Sequence, residues 1–322
     1  MINTILLLTS FIILLFFAIC YLCFRIVFYV PKKNKNISNE PPVPEGKIYE
    51  PYHNFMKQWI LEARNFPYKD CYITSFDGLK LHAKYFEYAK DATLEIMFHG
   101  YRGNAERDLS GGIQRCFALG RNVLLVDQRT SCGSEGNVIS FGINEHKDCL
   151  SWIDFAVSEF GLDVKIVLTG ISMGASTVLM AAGTPLPENV VGVLADCGFS
   201  SAKEIIKKCA RQLHLPANLI YPFIKFGAKL FGHFDLEAYS PIEAMKTCKL
   251  PVLFFHGESD DFVPCAMSEK LYKACTSPKR ILTVPGAGHG LGYLVDNEGY
   301  FKAVTEFFTK NGVPTALHEK PF

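Results

Sequence analysis

A serine between two glycines is the first feature of this sequence that could do chemistry. Gly170-Ile171-Ser172-Met173-Gly174 follows an apolar run with the pattern of a strand, and the residues through Ala182 have the pattern of a helix. A lone G-x-S-x-G could be an ordinary turn. Between a strand and a helix, however, it holds the serine on a sharp, strained bend where side chains at the glycine positions would crowd both elements. Ser172 is therefore predicted to be a nucleophile.

A serine hydroxyl needs a base within hydrogen-bond reach and an anion that orients this base. The apolar run 251–255 leads into a loop with Asp260 and Asp261, and the next apolar run ends in a glycine-rich loop with His289. Asp260 is the predicted acid, Asp261 is the alternative, and His289 is the predicted general base. His318 is the only later histidine, and it lies in a polar tail.

A third loop is expected to stabilise negative charge. The apolar run 94–98 leads into His99-Gly100-Tyr101-Arg102-Gly103-Asn104. This position suits backbone N–H groups that bind the oxyanion of a tetrahedral intermediate. The predicted donors are the amides of Tyr101 and Met173, whereas the His99 side chain is predicted to be structural.

The elements that must position these loops alternate along the chain. Asp77-Gly78 favours a tight hairpin turn between two strands, 72–76 and 79–86. Short apolar runs then recur before longer helical stretches, at 94–98, 122–126, 164–169, 190–195, 251–255 and 281–284. This alternation predicts an α/β fold with a mostly parallel sheet flanked by helices. Binding sites in such sheets lie at the carboxyl ends of the strands, where the three loops are expected.

The N-terminus is expected to be a membrane anchor. Residues 1–24 contain no charged side chain, and 5–24 supply the roughly 20 apolar residues that cross a bilayer. A cleaved signal peptide would have a basic leader and a shorter apolar stretch. The predicted organisation is an anchor at 1–30, a linker at 31–51 that lifts the domain off the bilayer, a domain at 52–314 and a tail at 315–322.

The charged residues and cysteines indicate where in the cell the protein is expected to lie and which partners it is expected to bind. Arg25, Lys32, Lys33 and Lys35 follow the anchor, so the positive-inside rule favours a single-pass protein with a cytoplasmic domain. The 11 cysteines show no framework spacing, which suits a reducing compartment. A net charge of +1 makes nucleic acid an unlikely partner. No metal-ligand spacing or nucleotide-binding loop is found outside the apolar N-terminus, so neither a metal nor a cofactor is predicted.

Residues 199–247, rich in aromatic side chains and lysines, are predicted to form a helical lid. An apolar lid suits a small-molecule or lipid-like acyl substrate. Two alternatives are that these side chains only pack the lid on the domain, and that the lid meets the bilayer surface through Lys225 and Lys229.

These residues together resemble the alpha/beta-hydrolase family over about 70–310, in particular bacterial membrane-anchored members similar to esterases and to relatives of the prolyl-peptidase group. The resemblance rests on the Ser172 elbow, the loops of Asp260 and His289 in the order Ser, Asp, His, the HG-x-x-GN loop, Asp127-Gln128-Arg129 and Ala195-Asp196-Cys197-Gly198-Phe199. It implies a serine hydrolase that cleaves an ester-type acyl bond through an acyl-enzyme. A serine peptidase, a thioesterase and a non-catalytic membrane-anchored binding protein are the alternatives. One departure is Cys132, which stands where similar proteins have a glycine in a loop that usually braces the nucleophile elbow.

Overall fold

A computed structural model describes residues 2–31 and 40–315, with the backbone but not the side chain of Ser110. The central sheet has eight strands in the order β1-β2-β4-β3-β5-β6-β7-β8. The strands are β1 (Lys69–Thr74), β2 (Lys80–Phe86), β3 (Leu94–Phe98), β4 (Asn122–Asp127), β5 (Ile166–Ile171), β6 (Val190–Asp196), β7 (Val252–Gly257) and β8 (Lys279–Val284). β2 pairs antiparallel with both β1 and β4, and β3 to β8 pair in parallel.

Helices cover both faces of this sheet, and a 3-10 turn at Glu50–Tyr52 precedes α2. The helices are α1 (Ile2–Val27), α2 (His53–Asn65), α3 (Ala105–Ala118), α4 (Glu145–Phe160), α5 (Met173–Ala182), α6 (Ala202–Gln212), α7 (Ala217–Phe231), α8 (Pro241–Thr247), α9 (Cys265–Ala274), α10 (Gly292–Val295) and α11 (Asn297–Lys310). The predicted fold class is confirmed.

The burial of the strands follows from their position in the sheet. β3 lies between β4 and β5, and all five of its residues are buried. A parallel strand with helices on both faces is apolar without alternation, which is why the run 94–98 was recognisable in the sequence. One core cluster packs α4, α5 and α9 against one face, and another packs α11 against the other face. The carboxyl ends of β3, β5, β7 and β8 therefore present their loops along one edge of the sheet.

The N-terminal helix is long and apolar enough to cross a membrane. Residues 2–15 of α1 are exposed, whereas Phe24 and Phe28 are buried in the domain. The chain then pairs with the domain through a Tyr29–Val138 bridge.

Part of the predicted linker contacts the domain, since Tyr49 packs against a cluster that includes Val284 at the end of β8. The division into anchor, linker and domain stays a prediction. Residues 32–39 of that linker and 316–322 of the predicted tail lie outside the described residues.

Candidate active site

Ser172 lies on the turn between β5 and α5 with φ of 56° and ψ of −118°. Left-handed backbone of this kind is strained for a residue with a side chain and is concentrated at functional sites. The two flanking glycines are sterically required. A Cβ at Gly170 would lie 2.2 Å from the Gly174 backbone, and one at Gly174 would lie 2.0 Å from the Phe98 carbonyl oxygen. The strained bend inferred from the motif is thus present in the structure.

The three predicted triad residues come together at the edge of the sheet. His289 Nε2 lies 2.9 Å from Ser172 Oγ, and His289 Nδ1 lies 2.6 Å from Asp260 Oδ2. An ionised carboxylate can only accept, so Nδ1 carries the proton and Nε2 accepts from the serine hydroxyl. Ser172 is 6% exposed, which keeps most water away from this chain of hydrogen bonds.

Asp260 accepts three hydrogen bonds and has a fourth nitrogen close by. Its Oδ1 accepts from the backbone N–H groups of Phe262 and Val263, at 2.9 Å and 2.8 Å. Its Oδ2 faces both His289 and His256 Nε2, the latter at 3.2 Å. Burial opposes ionisation of this carboxyl, but its interactions with His256 and His289 outweigh it and lower the pKa of Asp260 to about 2. The group therefore remains a carboxylate at neutral pH.

The alternative acid points elsewhere. Asp261 is exposed, and its backbone carbonyl accepts from Lys208 Nζ and Gln212 Nε2 of α6. Geometry therefore favours Asp260 as the partner of His289.

The loop after β3 passes directly over the nucleophile. A Cβ on Gly100 would lie 3.4 Å from Ser172 Cβ. The Gly100 N–H is already donated to Asp108 Oδ2 at 3.0 Å, so the next amide along the loop is that of Tyr101. Met173 is the first residue of α5, and the first N–H groups of a helix have no partner within it. Their assignment as oxyanion donors stays a prediction.

His99 is held as a structural residue, as expected. Its Nδ1 lies 2.9 Å from the Gly100 carbonyl oxygen, and its Nε2 accepts from the Gln128 N–H at 3.1 Å. Burial lowers the pKa of this imidazole, which is consistent with a neutral ring that donates from Nδ1.

The end of α1 contacts the predicted oxyanion loop, which sequence reasoning missed. The Tyr101 hydroxyl donates to the Val27 carbonyl at 2.6 Å, and the Arg102 guanidinium donates to the Ile26 carbonyl at 2.7 Å. A cation that binds carbonyls at the end of a helix also interacts favourably with its dipole. The end of α1 thus supports the loop that lies over Ser172.

Two further residues missed in the sequence hold the base and the acid. The Tyr49 hydroxyl donates to the His289 carbonyl at 3.0 Å across 240 positions in the chain. His256 is fully buried, with Nδ1 2.6 Å from Ser268 Oγ. The position of His256 at the end of β7 was a usable signal, whereas Tyr49 lay in a segment with linker composition.

The loop with Cys132 contacts the predicted oxyanion loop. The Ser131 hydroxyl donates to the Gly103 carbonyl at 3.1 Å. Cys132 itself has φ of 40°, a left-handed conformation that glycine adopts without strain. The glycine of similar proteins therefore has a steric explanation, and the cysteine is tolerated at a cost in backbone energy.

A buried carboxyl group, that of Asp196, and a buried thiol, that of Cys197, lie near His289. Burial raises the pKa of Asp196 to about 6, and its Oδ1 has no partner among the described residues. Cys197, Asp260 and His289 place potential metal-ligand atoms within 4.8 Å of one another. However, burial together with Asp196 raises the pKa of the Cys197 thiol well above its ordinary value, and a metal ligand needs the thiolate. The cluster therefore fits a hydrogen-bonded triad better than a metal centre.

An apolar cluster lies beside the nucleophile. It joins Met173, next to Ser172, to buried side chains of the predicted lid segment 199–247, of the loop before α4 and of the end of α1. Phe262 packs on the His289 ring at 5.0 Å between centroids and is 40% exposed. The surroundings of the hydroxyl therefore suit an apolar group.

Known proteins share both the sequence and the architecture. Residues 139–312, which carry all three predicted triad positions, match the model of the prolyl oligopeptidase family. YqkD from Bacillus subtilis (strain 168) is 30% identical over 190 residues, which are 59% of this chain and 62% of that protein, under two thirds of its length. The alpha/beta hydrolase domain-containing protein WAV2 from Arabidopsis thaliana is 27% identical over 267 residues, 78% of this chain and 82% of that protein.

A solved structure of the Pyrococcus furiosus esterase Pf2001 superposes on the chain with a TM-score of 0.64 and 21% identity. The superposition covers 84% of this chain and 97% of the esterase. At this identity the likeness shows a shared fold.

Proposed function

Because this chain belongs to the prolyl oligopeptidase family of alpha/beta-hydrolases, we propose that it is a serine hydrolase that uses Ser172, His289 and Asp260 to cleave an ester-type acyl bond. The observation that carries the proposal is the continuous chain of hydrogen bonds from Ser172 Oγ through His289 to Asp260, at 2.9 Å and 2.6 Å. These contacts are within the reach that proton transfer from a serine requires.

In the proposed reaction, Ser172 Oγ attacks the ester carbonyl while His289 Nε2 takes the hydroxyl proton. The carbonyl oxygen becomes negative and accepts hydrogen bonds from the amides of Tyr101 and Met173. Collapse of the tetrahedral intermediate breaks the bond to the alcohol, which leaves with the proton from His289. Water, deprotonated by the same imidazole, then attacks the acyl-enzyme, and His289 returns this proton to Ser172 Oγ as the acid is released. Asp260 stabilises the imidazolium in both halves of the reaction.

The ester preference is supported by the apolar cluster next to Met173, which suits an acyl chain. The matched family makes peptide hydrolysis the second candidate. Thioester hydrolysis is the third, because a thioester presents the same acyl group as an ester. The three are separated by measuring kcat/KM for p-nitrophenyl esters of increasing chain length, for acyl thioesters and for proline-containing peptide amides. We expect the highest value for an ester, with an optimum beyond acetate. A peptide amide that is cleaved faster than every ester would replace this proposal.

We further propose that α1 is a retained membrane anchor and that the domain faces the cytoplasm. Removal of α1 as a signal peptide would uncover the apolar cluster that Phe24 and Phe28 complete, since these side chains are 5% and 0% exposed. The basic residues after α1 support the orientation. Intact mass of the protein from the membrane fraction should include α1, and protease added to sealed cells should leave the domain uncut. A mass that begins after residue 31 would contradict retention.

A further inference from the structure

The lid helix α7 lies along the anchor helix α1 over about half of its length. The Phe16 ring lies 5.5 Å from that of Phe223, and the Tyr21 ring lies 5.2 Å from that of Phe231. Residue numbers rise together in these pairs, so the two helices run in the same direction. A Cβ on Gly227 would lie 2.4 Å from the Cys20 carbonyl oxygen, which shows that the two backbones approach closely.

The free part of α1 is too short to cross a bilayer alone. Residues 2–15 are exposed, and at 1.5 Å per residue these fourteen residues measure about 21 Å, against about 30 Å of hydrocarbon. About six more residues are needed to cross the hydrocarbon, and these are Phe16 to Tyr21, so the span would run from residue 2 to residue 21. Because Phe16 packs on Phe223 and Phe226, an α1 that spans the membrane as proposed places this part of α7 at the level of the bilayer.

The outer face of α7 fits such an environment. Leu219 is 65% exposed and Phe226 is 53% exposed, and in the preceding turn Leu213 is 70% exposed. Lys229 is exposed one turn after Phe226, towards the end of α7 that lies level with the end of the span, where a cation suits anionic headgroups. Lys225 does not take part as the sequence suggested, because its Nζ pairs with Glu237 at 2.5 Å.

The inner face of α7 leads to the nucleophile. Tyr221 and Ile224 of α7 belong to the same buried apolar cluster as Met173, the residue after Ser172. The cluster also includes Phe24 of α1. Apolar side chains of one cluster therefore extend from the bilayer-facing helices to the residue next to the reacting hydroxyl.

From these contacts we propose that α7 is embedded in the same leaflet as the adjoining part of α1, and that the enzyme takes its substrate, an acyl ester of a bilayer lipid, directly from this leaflet. The substrate assignment rests on the proposed hydrolase function, whereas the membrane contact does not.

The membrane contact is tested on the full chain with Ser172→Ala, in vesicles of phosphatidylcholine and phosphatidylglycerol. Leu219→Trp places a fluorophore on the outer face of α7, and Leu162→Trp places one at a position that is 83% exposed between α4 and β5. After subtraction of the signal from the parent protein, lipids brominated in their acyl chains should quench most of the emission from Leu219→Trp and little from Leu162→Trp. Equal quenching of the two variants would overturn the contact, whether or not the protein is an enzyme.

The substrate is tested with a fluorogenic acyl lipid in the same vesicles and with soluble p-nitrophenyl acetate. Leu219→Asp should lower turnover of the vesicle lipid about tenfold, because a carboxylate is costly in the bilayer, and should leave acetate hydrolysis unchanged. Leu162→Asp should change neither rate. Equal loss on both substrates, or cleavage of acetate with no cleavage of the lipid by the wild type, would overturn the assignment. A wild type that cleaves neither ester would refute the proposed function, and the quenching would still decide the membrane contact.

Discussion

Replacement of Asp260 by asparagine is expected to keep the fold and to place His289 in the wrong tautomer. Oδ1 of Asp260 accepts two backbone N–H groups, from Phe262 and Val263. An asparagine has one acceptor oxygen, and these two donors require it on their side. Its NH2 group must then face His289, whose Nδ1 becomes an acceptor. The ring proton moves to Nε2, which can no longer accept from Ser172.

In a Ser-His-Asp triad this exchange costs about 10⁴ in kcat, which corresponds to about 5.4 kcal/mol of transition-state stabilisation. Because the pKa of Asp260 is about 2, the wild type keeps its carboxylate at any pH where the base works, and the deficit should be present throughout the neutral range. The assay is kcat/KM for p-nitrophenyl butyrate as a function of pH, with circular dichroism as the control for folding.

Asp261→Asn is the matched control, since Asp261 is exposed and is adjacent in the chain. It should retain wild-type activity. An Asp260→Asn variant that keeps more than a tenth of the wild-type rate, or an Asp261→Asn variant that loses as much, would refute the tautomer argument.

Three further predictions concern stability, measured as the free energy of unfolding in denaturant. Burial raises the pKa of Asp196 from an ordinary 3.8 to about 6, so the folded state holds the extra proton and the contribution of this group to stability falls as pH rises between these values. Asp196→Asn removes this titration, so its free energy of unfolding should rise by up to about 3 kcal/mol relative to that of the wild type as the pH goes from 4 to 7. A difference between the two proteins that is the same at pH 4 and pH 7 would contradict the raised pKa. Cys132→Gly should stabilise by about 0.5–1 kcal/mol, because a side chain in the left-handed region costs more than the added freedom of glycine in the unfolded chain, and a lower denaturation midpoint would argue against strain there. Phe28→Ala should cost about 3–5 kcal/mol in detergent because Phe28 is fully buried, whereas Phe11→Ala, on the exposed part of α1, should not change the stability of the domain. A Phe28→Ala variant as stable as the wild type would mean that the segment directly after α1 is not part of the fold.

The elements that could be predicted best from the sequence are those whose position is determined by a local residue pattern. β3 matches its predicted bounds because a central parallel strand is apolar along its whole length. β5 ends two residues later than predicted because it continues into the elbow, where Gly170 and Ile171 are still paired with β6. The loops of Asp260 and His289 were found because apolar runs end immediately before them.

Contacts between distant parts of the chain could not be read from local patterns. The bond from Tyr49 to the His289 carbonyl and the packing of Phe28 each depend on how segments far apart in the chain meet in space. Composition marked one as linker and the other as membrane anchor, and neither pattern indicates a partner. The choice between Asp260 and Asp261 likewise needed coordinates, since neighbouring carboxylates in a loop share the same sequence environment.

Labelling of the detergent-solubilised full chain by a fluorophosphonate probe tests the central claim most directly, because the probe reacts with a serine only where a base activates it. We expect rapid labelling of the wild type, with the modified peptide containing Ser172, and no labelling of Ser172→Ala. A folded wild type that does not react, or a Ser172→Ala variant that still does, would contradict the assignment of Ser172 as the nucleophile.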